Sequence, residues 1–345
     1  MPNPQKILVL GPAWVGDMVL AQSLFKTLKN NHPNCQIDVA APAWTLPLLE
    51  RMPEVSNKIA LPFKHGELAF WQRIAFGKSL KNAGYTQSIV LTNSFKSALL
   101  PFAAGIPKRT GFLGEMRYGL LNDIRPLDKT KLKKTVERFV ALGLPKAGLE
   151  KNASLPAIPQ PSLSTALQAS IHADSGAGKS SPATKGAKIL GLCPGAEYGS
   201  AKRWPAEYYA EVANDMIKKG WQVYLFGSDK DVPVTTQINA LTQNQCSDFG
   251  GKTKLGEAID LMAQCNTIIS NDSGLMHVAA ALNIKVIAIF GSSDPYHTPP
   301  MHPQAVIEYL GLSCSPCFKR ECPLKNEAHL ACLKNITPQL ITSKI

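Results

Sequence analysis

No stretch of the chain approaches the ~18 consecutive apolar residues that a membrane-spanning helix needs. The longest candidate, Ser97 to Ile106, is interrupted by Pro101 and Gly105. The apolar run Lys6-Ile-Leu-Val-Leu10 is cut short by Gly11, Pro12 and Asp17, too early for the core of a secretion signal. It reads as a first buried strand, and the chain as cytoplasmic. The Gly-x-Gly-x-x-Gly fingerprint is missing, which disfavours a nicotinamide-dependent enzyme. There is no zinc-finger or helix-turn-helix spacing and no interleaving of basic with aromatic residues, which disfavours nucleic acid as a partner. No solenoid-length repeat is present. Ser175-Gly-Ala-Gly-Lys-Ser180 looks like the end of a phosphate-binding loop, but Ala173 stands where that loop needs glycine and no strand precedes it.

What is present is apolar material for cores: 345 residues, 45% of them hydrophobic, enough for about two domains. Lys and Arg exceed Asp and Glu, 37 to 25. The excess has a location: residues 1–150 hold 20 basic and 10 acidic residues, residues 151–345 hold 17 and 15. A basic face attracts an anionic membrane or a phosphorylated substrate. The densest run is Arg125, Lys129, Lys131, Lys133, Lys134 and Arg138, which reads equally as a solvated helix face. Eight cysteines in a cytoplasmic chain point to thiols or metal ligands rather than disulfides.

Short apolar runs alternate with helical patterns. Lys6–Leu10, Gln36–Ala40 and Ser88–Leu91 read as strands in the first half. Ile189–Leu192, Gln222–Phe226, Thr267–Ser270 and Val286–Phe290 do so in the second, with helices over 206–219, 255–263 and 274–282. This alternation predicts an α/β protein with two parallel sheets. Between them the texture turns to Pro, Ser, Ala and Gly, so the expected division is a domain over 1–150, a linker or mobile loop over 151–188 and a second domain over 189–345. Ligands of such sheets bind beyond the carboxyl ends of the strands, and between domains when there are two.

Four places can carry chemistry. Gly11-Pro-Ala-Trp-Val-Gly16-Asp17 joins the first strand to a helix, and Asp17 is either a carboxylate favoured by the helix dipole or a general base. Pro194-Gly-Ala-Glu-Tyr-Gly-Ser-Ala-Lys202-Arg203-Trp204-Pro205 brings two cations to a strand end, suited to a diphosphate. Ser270-Asn271-Asp272-Ser273-Gly274-Leu275-Met276-His277 opens a helix whose first N–H groups suit phosphate, or is a plain cap with a core histidine. In the tail, Cys314, Cys317, Cys322 and Cys332 either hold a structural zinc or iron–sulfur cluster or stay free thiols. The segment Leu68, Phe70, Trp71, Ile74 and Phe76, with Arg73, Lys78 and Lys81, reads as a membrane-surface helix or an ordinary core helix.

Gly16-Asp17-Met-Val-Leu-Ala-Gln-Ser-Leu24, Pro194-Gly-Ala with Lys202-Arg-Trp-Pro205, and Asn271-Asp-Ser-Gly-Leu-Met-His277-Val-Ala-Ala-Ala281 followed by Phe290-Gly-Ser-Ser-Asp-Pro295 occur in one order. Together they resemble the heptosyltransferases of glycosyltransferase family nine, over nearly the whole chain except about 158–187. The Pro-Gly-Ala-Glu-Tyr-Gly loop is most similar to members that add the second heptose of the lipopolysaccharide inner core.

The resemblance implies the GT-B fold, two Rossmann-like domains with parallel sheets facing an interdomain cleft. It also implies inverting transfer of heptose from ADP-heptose to heptosyl-Kdo2-lipid A at the cytoplasmic face of the inner membrane, with no metal required. Gly16 and Asp17 then lie on the acceptor side, Asp17 as general base. Lys202 holds the donor diphosphate, Asp272 grips heptose hydroxyls, and Ser273, Gly274 and Leu275 turn N–H groups to the phosphates. His277 shares that motif, Asp229 or Asp231 reaches the ribose, and Ser273 replaces the family's usual threonine. Heptosyltransferase I chemistry, another core heptosyltransferase, or a non-catalytic nucleotide- or lipid-binding GT-B module remain the competing readings.

Overall fold

The computed structural model describes residues 5–64, 66–146, 155–165 and 186–345, and they form two compact units, Met1–Pro161 and Ser162–Ile345.

The first unit is built on a six-stranded sheet in the order β3-β2-β1-β4-β5-β6. Its strands are β1 Lys6–Leu10, β2 Gln36–Pro42, β3 Asn57–Leu61, β4 Gln87–Val90, β5 Lys108–Phe112 and β6 Asp123–Arg125. Every pairing is parallel, with Ile7 beside both Ile37 and Gln87. A parallel sheet is covered on both faces, so its central strands read as unbroken apolar runs. Ile7, Leu8 and Val9 are accordingly fully buried. The helix Val15–Asn31 closes one face with Met18, Leu24 and Phe25, each such side chain contributing ~1.5–3 kcal/mol.

The second unit repeats this winding: β7 Ile189–Cys193, β8 Gln222–Leu225, β9 Ser247–Asp248, β10 Thr267–Asn271, β11 Lys285–Ile289 and β12 Val306–Glu308, in the order β12-β11-β10-β7-β8-β9. In each sheet the chain starts in the middle, builds outward on one side, then crosses to the other. The strand order reverses between β1 and β4, and between β7 and β10. Such a reversal leaves a crevice beyond the strands' carboxyl ends where open α/β sheets bind ligands.

Part of the expected linker is anchored. Ser23 Oγ donates to Pro159 O at 2.6 Å and Lys26 Nζ to Gln160 O at 2.7 Å. In the second unit, Leu163 N bonds Ala281 O at 2.9 Å. The Ser175–Ser180 stretch and the rest of that segment lie outside the described residues.

The basic run divides. Arg125 is buried and forked onto Asp123 through Nε and Nη2, both at 2.9 Å, and Arg138 Nε caps Leu132 O at 3.0 Å. Lys129, Lys131 and Lys133 are exposed. The segment before the helix Phe70–Ser79 divides as well: Leu68, Phe70 and Trp71 are exposed, while Arg73 is buried and Phe76 packs edge-on against Phe63 at 5.9 Å. Among the described residues no helix is long and apolar enough to cross a membrane.

Candidate functional site

The sequence singles out the loop after β1 in the first crevice and both loops of the second, but not the loop after β4. In the first unit, the loop after β1 carries Gly11 and leads into the helix Val15–Asn31, with Gly16 buried and Asp17 half-buried in its first turn. Any side chain at Gly11 would press on Met18, 2.7 Å from the added carbon. Across the reversal, the loop after β4 is held from below by Arg117. This fully buried guanidinium donates to Thr92 O at 2.7 Å, Ser97 Oγ at 3.2 Å and Leu113 O at 3.1 Å, and also to Phe112 O. Burial pulls its pKa down to about 10, which leaves it charged at neutral pH.

In the second unit the loops after β7 and β10 are knitted together by Asn271. Its Nδ2 donates to Pro194 O at 2.7 Å, and its Oδ1 accepts from Trp204 N at 3.0 Å and Tyr209 Oη at 3.1 Å. That network puts Lys202, on the first loop, against Asp272, on the second: Lys202 Nζ donates to Asp272 Oδ2. Ser293 Oγ, from the loop after β11, donates to the same oxygen at 2.6 Å. Among the described residues Asp272 Oδ1 accepts no hydrogen bond, so this buried carboxylate keeps an acceptor for a ligand hydroxyl.

Next comes the helix Gly274–Ala281, with Ser273 as its N-cap and no side-chain cap bond. The first N–H groups of a helix have no acceptor within it and carry the positive end of the dipole. The crevice therefore holds an ammonium, a helix N-terminus and a carboxylate. That suits a ligand with both a phosphate and hydroxyls.

His277 lies one turn further in, 5% exposed. Burial lowers its pKa to about 4, against a smaller upward pull from Asp272, and Lys202 lowers it further. It is neutral at pH 7, and its Nδ1 has no hydrogen-bond partner among the described residues.

Asp229 and Asp231 stand in an Asp-x-Asp spacing, which a metal-free reading has to account for. Asp231 is turned into its own loop, where Oδ2 accepts from Ser228 N at 3.0 Å and Ser228 Oγ at 2.8 Å. Its carboxyl also lies where a side chain at Gly195 would stand, 2.3 Å from that position. Asp229 is exposed.

The cysteine tail braces the loops after β7 and β11. Ala201 N bonds Arg320 O at 3.0 Å, Tyr198 Oη bonds Phe318 O at 2.9 Å, and Phe318 N bonds Ser292 O at 2.7 Å. Tyr198 lies under both Lys202 Nζ and the Arg320 guanidinium, at 5.2 and 5.4 Å. The four tail thiols are neighbours: Cys332 is pushed up to about 11 by burial and then by Cys314, Cys322 and Cys317. Even so, no three His, Cys, Asp or Glu side chains among the described residues are grouped to hold a metal ion. The tail's contacts run largely through its backbone, at Phe318 and Arg320, which spacing of cysteines does not reveal. Sequence reasoning also missed Ser293 and Arg117. Ser293 stood inside a quoted motif, whereas Arg117 gives no local signal because its acceptors come from distant loops.

The family model described as glycosyltransferase family 9 (heptosyltransferase) matches residues 73–328. Lipopolysaccharide heptosyltransferase 2 of Escherichia coli is 46% identical over 344 residues, covering 99% of this chain and 97% of that protein. Lipooligosaccharide heptosyltransferase 2 of Haemophilus ducreyi is 46% identical over 308 residues, 88% of each chain. The solved structure of E. coli ADP-heptose lps heptosyltransferase II superposes with a TM-score of 0.83 and 42% identity, over 99% of this chain and 97% of that one. Two like-wound parallel sheets, the loops at their reversals and near-full-length identity agree: this chain belongs to glycosyltransferase family 9, the heptosyltransferases.

Proposed function

We propose that this heptosyltransferase takes heptose from ADP-heptose and adds it, with inversion, to the first heptose of heptosyl-Kdo2-lipid A, at the cytoplasmic face of the inner membrane. The observation that carries the reading is the Lys202–Asp272–Ser293 cluster at the N-terminus of the helix Gly274–Ala281. It offers positive charge for a diphosphate next to an acceptor for sugar hydroxyls.

In the reaction the acceptor hydroxyl attacks the anomeric carbon and its proton passes to Asp17. The bond from that carbon to the diphosphate oxygen breaks, and the electron pair leaves with ADP. Lys202 and the N–H groups of Ser273, Gly274 and Leu275 stabilise the charge that develops there. Fixed donors in a dry site are worth more than the same donors in water. Asp272 takes heptose hydroxyls through its available oxygen. His277, neutral and buried, supports the helix without adding charge. Asp231 shapes the Gly195 turn, and Asp229, exposed beside it, is the candidate for the ribose. No step requires a metal.

The test is ADP release from ADP-heptose, with and without heptosyl-Kdo2-lipid A. Release that depends on this acceptor supports the reading. Release only with heptose-free Kdo2-lipid A would reassign the acceptor, and donor binding without release on any core acceptor would leave a binding module.

A further inference from the structure

Large apolar side chains are unevenly exposed on the first unit. Nine are exposed among its described residues, and eight of them sit on loops leaving the carboxyl edge of the sheet or in the first turn after such a loop. Trp14 follows β1, Trp44 follows β2, Leu68 and Trp71 follow β3, and Met116 and Tyr118 follow β5. Scattered surface apolar residues need no explanation, but a group confined to one edge marks a contact surface. Each gains ~1.5–3 kcal/mol when taken out of water.

The boldest part is the segment Leu68 to Trp71. Trp71 is 78% exposed and Leu68 53%. They do not hang on a loose loop. The buried Arg73 reaches back, donating through Nε to Leu68 O at 2.7 Å and through Nη2 to Glu67 O at 3.2 Å, with its guanidinium 4.2 Å over the Phe63 ring. Ala69 is held in the left-handed region at φ 44°, a conformation that costs a non-glycine residue free energy and persists only where surroundings enforce it. The Phe70 and Trp71 rings meet edge-to-face at 5.1 Å. A charged anchor and a strained backbone thus keep an apolar tip in water.

Charge identifies what the tip meets. Residues 61–82 hold four cations, Lys64, Arg73, Lys78 and Lys81, against Glu67 alone. Trp71, Ala75 and Lys78 are exposed at helical spacing, one above the other on one face. On the same edge of the sheet, the loop after β6 presents the exposed Lys129, Lys131 and Lys133. Aromatic side chains flanked by lysine are the chemistry of the bilayer interface, where rings lie at headgroup depth and cations meet anionic lipid. The strands are parallel, so the carboxyl ends of β3 and β1 share an edge, two strand spacings or ~10 Å apart. Asp17 follows β1.

We propose that the Leu68–Trp71 wedge and its surrounding lysines seat the first unit on an anionic lipid bilayer, so that the edge carrying Asp17 faces the lipid-borne acceptor. This rests on the acceptor reading above for its purpose, though not for its test.

The test is co-sedimentation of the full chain with vesicles of phosphatidylglycerol and phosphatidylcholine, and with phosphatidylcholine alone, over a salt series. The wild type binds the anionic vesicles and loses them as salt rises. Leu68→Ser with Trp71→Ser lowers partitioning on the order of 10-fold or more. It leaves the circular dichroism unchanged and also leaves unchanged the ADP release with an acceptor stripped of its acyl chains. Brominated lipid quenches tryptophan emission in the wild type and less in Trp71→Phe, which still binds. Equal partitioning of the double variant and the wild type overturns the proposal. So does a concentration-dependent dimer that the double variant abolishes while neither protein binds vesicles. Failure of the wild type on the acyl-free acceptor would strike the acceptor reading instead and leave the vesicle result standing.

Discussion

Lys202 and Asp272 are each other's partner in the unliganded crevice, with Ser293 holding the same carboxylate oxygen at 2.6 Å. The pair holds the Lys202 ammonium beside the N-terminus of the helix Gly274–Ala281, where the diphosphate of the proposed donor would meet it. Removing the ammonium deletes a charge-assisted contact of ~1.5–3 kcal/mol. Lys202→Ala is therefore expected to weaken ADP about 10–100-fold by calorimetry. Equal ADP affinity in the variant and the wild type would remove Lys202 from the donor site.

Asp17 makes a different demand. It is half-buried in the first turn of its helix, beside the buried Gly16, so Asp17→Asn preserves shape while removing the carboxylate proposed as proton acceptor. Turnover should fall by ~10²–10⁴, the scale of a lost general base, while ADP affinity stays within a factor of two or so. Weakened donor binding with near-normal turnover would contradict the role.

His277 predicts a pH dependence of stability. Its pKa is near 6.5 in an unfolded chain and about 4 in the fold. Below pH 6.5 the unfolded state takes up a proton that the folded state refuses until about pH 4. Stability attached to this group is complete above pH 6.5 and is lost as pH falls toward 4, by an upper limit of roughly 3 kcal/mol. His277→Met fills similar volume without a titrating group. Denaturant unfolding at pH 5 and 7.5 should show a smaller difference for the variant than for the wild type. An unchanged difference would assign the acid limb to other groups.

The central strands were legible because burial on both faces leaves an unbroken apolar run. Lys6–Leu10 matches β1 residue for residue, and Ile189–Leu192 falls one residue short of β7. The strands that escaped notice are short, polar or both: Asn57–Leu61, Lys108–Phe112, Asp123–Arg125, Ser247–Asp248 and Val306–Glu308. Solvent on one face, or a start such as Lys108-Arg109, removes the apolar signal on which strand reading depends. Of the four loops at the reversals, those after β1, β7 and β10, but not that after β4, were visible through their glycines, caps and cations. What joins those loops was not. Asn271 reaches Pro194 and Tyr209 across 77 and 62 residues of sequence, and local spacing carries no trace of such bonds.

Gly199 shows how far the tail supports the loop that carries Lys202. A side-chain carbon there would stand 2.2 Å from the Arg320 carbonyl oxygen. Arg320 is backbone-bonded to Ala201, one residue before Lys202, so neither partner has a flexible end that can yield. Gly199→Ala is expected to cost ~1–3 kcal/mol by overpacking, several degrees of Tm, and to weaken ADP as Lys202 shifts with its loop. A variant with wild-type Tm and ADP affinity would show that the tail merely lies alongside.

Arg117 poses the matching question in the first unit, the proposed acceptor side. Its guanidinium is fully buried and donates to the carbonyls of Phe112, Leu113 and Thr92. Arg117→Met removes the guanidinium from those carbonyls, with Ser97 Oγ at 3.2 Å still donating to Thr92 O, at ~1–3 kcal/mol for each one left buried and unpaired. Arg117→Lys keeps the charge but cannot reproduce a planar fork with donors in three directions. Both variants should unfold at markedly lower urea, Met lower than Lys. At temperatures where the fold persists, turnover should fall while ADP affinity holds, because the loop Arg117 supports belongs to the first unit and the phosphate-side cluster to the second. Loss of ADP affinity in step with turnover would mean that Arg117 holds up more than the Thr92–Ser94 loop.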